Sequence, residues 1–177
     1  AVAYTGIGAG AVINAGADVI LRSLVNNDAE SETGGWGFGA LGVGVSLSYA
    51  TAGKTRAAFT DPAPIRSDIG AGTVTAGRDV EVTATSYNDA LADSLAVAGG
   101  ILSGRGNVGK ATVAPDVAST LGGTVSARGA IAVGATATVS GTGISEGAGG
   151  GLLDVGASIA GATVSPTVAA SVGQGAT

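Results

Sequence analysis

Apolar and polar residues alternate with a period of two through much of the chain: Val43, Val45, Leu47 and Tyr49 in one stretch, Val80, Val82 and Ala84 in a second, Ile131, Val133 and Ala135 in a third. Side chains that point to opposite sides in succession are those of a β-strand, whereas a helix repeats near 3.6. Turn-forming residues punctuate the strands at short intervals, at Asn26-Asn27-Asp28, Asp61-Pro62-Ala63-Pro64, Asn88-Asp89, Pro115-Asp116 and Pro166. One segment, Asn88 to Leu95, has a cap residue followed by Ala-Leu-Ala and is read as a loop or a single helical turn.

The alternation is organised in repeats. Residues 74–126 laid against 125–177 give 16 identities in 53 pairs, where roughly 6 are expected by chance in so biased a composition. The matching blocks keep their order: Val74–Thr85 with Val125–Thr136, Gly99–Leu102 with Gly150–Leu153, and Ala111–Gly122 with Ala162–Gly173. A third copy of the first block, Ile13–Leu21, lies 61 residues before its partner, so the first unit carries about ten extra residues, assigned to the polar and Gly-rich stretch Asn26–Phe38. The units run from about 10 to 71, 72 to 122 and 123 to 177. Ala1–Ala9 reads as the tail of an earlier unit, and neither end resembles the polar cap of a repeat array, so further units are expected beyond both.

Composition narrows the architecture. Among 177 residues there are 33 Gly, one Trp, three Tyr and two Phe, so the core must be thin and built from Ala, Val, Ile and Leu. A sandwich about 10 Å thick wants larger side chains, whereas stacked coils accept ladders of small apolar residues. The expectation is an all-β chain, a parallel β-helix (β-solenoid) of about three repeats of roughly 51 residues, in preference to an internally duplicated antiparallel sandwich. Coils of roughly 17 to 25 residues would give about seven to ten turns and a rod of roughly 35 to 50 Å.

Charge and missing residue types exclude chemistry. With no His and no Cys, the chain cannot build a Ser-His-Asp or Cys-His pair, a thiolate nucleophile, or a zinc site on nitrogen or sulfur. The net charge of −5 argues against a nucleic-acid partner, which needs a basic face. Val155–Thr177 is free of charge but rich in Gly, Ser and Thr and interrupted by Pro166, a poor membrane span, and aromatic girdles for a membrane barrel are lacking.

Several motifs have a functional and a structural reading. Gly37–Gly42 and Gly104–Gly109 match the dinucleotide glycine pattern without a βαβ context, and are read as turn glycines. Gly104–Lys110 nearly spells a phosphate loop but has Ala111 in place of Ser or Thr, and Ser48–Thr55 lacks the leading Gly. Asp89 with Asp93 and Asp79 with Glu81 are the nearest carboxylate pairs for glycosidase or lyase chemistry, yet none recurs in the following unit. Asp18 and Asp79 hold the same place in their units and offer calcium ligands, but Ala130 takes that place in the third. Thr83-Ala84-Thr85 and Thr136-Ala137-Thr138 are the start of an ice-binding Thr ladder only if the pair recurs in register, and they are two residues out. No catalytic, cofactor or metal residue is assigned.

The units, with Ala15-Gly16-Ala17-Asp18-Val19, Ala76-Gly77-Arg78-Asp79-Val80-Glu81-Val82-Thr83-Ala84 and the looser Ala127-Arg128-Gly129-Ala130-Ile131-Ala132-Val133, resemble the repeats of large filamentous-haemagglutinin and leukotoxin-type bacterial adhesins. Ala130–Gly141 also resembles, once, a trimeric autotransporter head repeat. The adhesin resemblance implies a right-handed parallel β-helix, export to the bacterial surface, and a role in attachment, aggregation or biofilm. Expected partners are other copies or flanking repeats through open solenoid ends, and surface polysaccharide or a host-cell receptor. A ligand-binding solenoid, for ice or polysaccharide, is the alternative, and an enzyme is not expected.

Overall fold

The computed structural model describes residues 1–53 and 64–173, and every regular element within them is a β-strand. In chain order these are β1 (Ala3–Ile7), β2 (Val12–Ala15), β3 (Val19–Ala52), β4 (Pro64–Ile69), β5 (Thr73–Ala76), β6 (Val80–Val113), β7 (Asp116–Leu121), β8 (Thr124–Ala127), β9 (Ile131–Gly150), β10 (Leu153–Val164) and β11 (Thr167–Val172). All pairings are parallel and form three sheets: β1-β4-β7-β11, β2-β5-β8, and one in which β3 pairs with β6 and β6 with both β9 and β10. The antiparallel sandwich is set aside. Asn88–Leu95, read above as loop or helical turn, lies inside β6, and the Asn26–Asp28 and Asn88–Asp89 turns are likewise strand residues.

A strand's neighbour lies a whole unit away. Val80 pairs with Ile131 and Leu102 with Leu153, 51 residues on, while Val19 pairs with Val80 and Ala52 with Val113, 61 residues on. Neighbours roughly 17 to 25 residues apart, the spacing of short coils, do not occur among the described residues. The offset of 61 holds unbroken across Asn26–Phe38, so the extra residues of the first unit are not there. They lie between β3 and β4, since Pro64 pairs with Asp116 and the second unit bridges the same gap with Ala114 and Pro115 alone. One more falls in 70–72, after which Thr73 pairs with Thr124. Most of the longer connection, including Asp61–Ala63, lies outside the described residues. The polarity of Asn26–Phe38 marks a strand with a wet outer face, not a loop.

The long strands fold back on themselves. In β3 the hydroxyls of Thr33 and Ser46 are 2.7 Å apart, and Ser48 Oγ donates to Ser31 at 2.9 Å, so residues 19–38 run out, the chain reverses at Gly39-Ala40, and residues 41–52 return facing them. Gly39 takes φ +149°, a region few L residues occupy. The matching reversals follow Gly99 and Gly150, and in the last unit the outgoing and returning arms are the separate strands β9 and β10. Pro115 and Pro166 interrupt the returning arm, as their recurrence predicted, because proline lacks the N–H that a ladder needs.

The interior tapers. At the wide end, where β2, β5 and β8 close the third side, it holds Val74, Val80, Val82, Ile69, Leu121 and Val125. Further along it narrows to Ala50, Ala90, Ala92 and Ala111, and at the reversal to Gly and Ser in the first unit and to Ala96, Ala98 and the inward Arg105–Asp154 pair in the units that follow. A Cβ on Gly35 would stand 2.1 Å from Val45 O, and one on Gly37 2.0 Å from Val43 O. The two arms there meet backbone to backbone, far closer than the roughly 10 Å of sheets held apart by side chains. The buried apolar residues are the Ala, Val, Ile and Leu expected from composition, but buried Ser and Asn, among them Ser67, Ser86, Asn88 and Asn107, share the interior with them.

Candidate functional site

Most residues singled out in the sequence serve to bind one unit to the next. Asp18 Oδ1 accepts the Asp79 backbone N–H at 3.1 Å, and its other oxygen accepts from Arg78 at 2.6 Å. Asp79 Oδ1 in turn accepts the Ala130 N–H at 2.7 Å. The recurrent Asp is thus a corner acceptor for the amide of the following unit, with N–H donors where a calcium ion would sit. Glu81 takes a bidentate ion pair from Arg22 at 2.7 and 3.1 Å, which holds its carboxyl below the usual range and raises the guanidinium. Asp79 and Glu81 are therefore not a free catalytic pair.

Gly37–Gly42 spans the chain reversal, and Gly104–Lys110 lies wholly within β6 with no helix after it, so neither cradles a phosphate. The Gly53-Lys54-Thr55 ending lies, beyond Gly53, outside the described residues. Arg105, in the middle of the phosphate-loop match, points inward and pairs with Asp154. The Ser103 hydroxyl at 2.6 Å and then Arg105 hold the Asp154 carboxyl below its ordinary range. Thr85 pairs with Thr136 but Leu24 completes that column, and Thr83 lies between Arg22 and Gly134, so no regular Thr array forms.

Asp89 and Asp93 do face outward, and register brings them company that spacing alone could not reveal: Asp28 stands beside Asp89 and Glu32 beside Asp93. Glu32, Asp93 and Glu146 line a shallow hollow of about 350 Å³ together with Thr33, Gly34, Leu95 and the exposed Trp36. This arrangement offers acceptor oxygens and an indole face, features that suit hydroxyl-rich or cationic ligands. Among the described residues no group of three or more acidic side chains is placed to hold a metal ion, and no helix is long and apolar enough to cross a membrane.

The opposite broad face has another character. Val43, Val45, Leu47 and Tyr49, whose alternation is the clearest strand pattern in the sequence, point outward at 53 to 68 % exposure, while Gly42, Gly44, Ser46 and Ser48 point in. No family model, curated protein or solved structure matches the chain.

Proposed function

We propose that the chain is a segment of an extracellular β-helical adhesin or fibre shaft, a structural and interaction protein of the bacterial surface with no chemistry of its own. The observation that carries the reading is the unit-long parallel register, in which each unit's ladder, corner carboxylates and ion pairs are satisfied by the next unit. Stacking of this kind supports a β-solenoid of about three repeats, rigid along its axis. Parallel strands joined by such crossovers are right-handed in nearly all proteins, which supports the handedness that the adhesin resemblance implies. That resemblance also supports export and surface attachment. Displaying the chain on a non-adherent bacterium and measuring settling and retention on host cells and glass tests the reading. Attachment above that of a scrambled-sequence display is the expected result, and parity with it contradicts the proposal.

A second reading, a polysaccharide-binding solenoid, draws on the hollow formed by Trp36, Glu32, Asp93 and Glu146. Under it, Trp36→Ala abolishes retention on immobilised glycans. Under the first reading, Trp36→Ala leaves attachment unchanged.

A further inference from the structure

We propose that the outward face of the returning arms is a pairing surface for a second copy of this chain, sheet face against sheet face. Register sets its columns: Leu41, Leu102 and Leu153 form the first, and Leu47, Val108 and Ile159 form another. Between them the outer rows carry Val43, Val45 and Val155, whereas the middle row carries Gly104 and Gly106, leaving a furrow between two apolar ridges. A Cβ on Gly106 would meet nothing within 4 Å, so the furrow is open to solvent. Lys110, beside Tyr49, is the one charge among the outward positions of these three strands.

A surface this apolar on a chain this short of large side chains calls for a cover, and three observations favour a second copy. The first is shape: a ridge of one copy fits the furrow of the other, which makes the face self-complementary, as a two-fold contact requires. The second is area. Twelve residues of strand by three strands gives about 400 to 570 Å² per partner, depending on overlap, or about 800 to 1,100 Å² in all, the low end for a specific and reversible dimer. The third is charge. Asp28, Glu30, Glu32, Asp89 and Asp93 project from the outgoing arms on the far side, so face-to-face pairing keeps the acidic surfaces apart, while the net charge of −5 opposes adsorption to an anionic lipid surface. This contact is lateral and does not depend on the adhesin reading or on the ladder ends.

Sedimentation velocity of the full chain tests it, with monomer expected at about 1 µM and dimer at about 100 µM. Gly106→Glu sets a carboxylate in the furrow without touching a strand edge. It is expected to weaken association at least about tenfold while the thermal midpoint, read on the monomer, stays unchanged. A wild-type chain that remains monomeric across this range overturns the proposal, as does equal association by Gly106→Glu. Monomers that instead partition onto phosphatidylcholine vesicles overturn it in favour of a lipid surface.

Discussion

At Gly35 and Gly37 a single methyl group has no room, because the facing backbone carbonyls of Val45 and Val43 fill the space. Gly37→Ala must part the two arms and is expected to cost about 1–3 kcal/mol as an overpacking change. Gly106→Ala adds the same methyl into open space and is expected to leave the denaturant midpoint unchanged or raise it. Equal effects of the two substitutions contradict the tapered interior. Ile65 is fully buried between Val25, Ala84 and Val117, and Ile65→Ala should lower stability by about 2–5 kcal/mol in the same assay. Asp154, like Glu81, contributes a dependence on pH. Its carboxyl is held below the ordinary range by Ser103 and then Arg105, so its contribution is fully present above an unfolded pKa of about 3.9 and fades as pH falls through the lower folded value. Asp154→Asn, less stable than wild type at neutral pH, should therefore lose less on acidification to about pH 2.5. Parallel losses would show that the carboxylate is not involved.

At the scale of the element, the register makes the long β3–β4 connection dispensable. Replacing residues 53–63 with Ala-Pro, the bridge that joins β6 to β7, should preserve the circular dichroism spectrum and a cooperative thermal transition. Loss of folding would place the extra residues inside the ladder instead. Hydrogen exchange should be slowest in β6, paired on both edges, and fastest in β1 and β11, each paired on one. The repeat and the recurrent Pro115 and Pro166 were legible from sequence, since strand edges and corners demand the same residue types in each unit. The inner and outer faces were less so. Alternation shows a strand but does not say which side is buried, and where the interior is too thin for side chains the usual rule inverts: Gly44, Ser46 and Ser48 go in, Val43, Val45 and Leu47 go out. Asn88 and Asp89, whose local chemistry indicates a turn or a helix cap, lie on one strand with Asp93. The acidic hollow with Trp36 was invisible for another reason, being assembled from three units by register alone.

Across the whole molecule, the ladder joins chemically unlike surfaces into a slab with an acidic broad face, an aliphatic one and a narrow glycine-lined tip between them. All four ion pairs among the described residues, Arg22–Glu81, Arg66–Asp116, Arg78–Asp18 and Arg105–Asp154, link one unit to the next. Each ties a fixed position of one unit to a fixed position of the next, so together they specify the register. The central claim is that neighbours in the ladder are one full unit apart, and the cysteine-free sequence makes it simple to test. With cysteines at Thr85 and Thr136, register partners on adjacent strands 51 residues apart, a short bismaleimide should join the two sites within the monomer in high yield. A pair at Thr85 and Gly106, the spacing of a short coil, should stay unlinked. Efficient linkage of the second pair with none of the first would contradict the account.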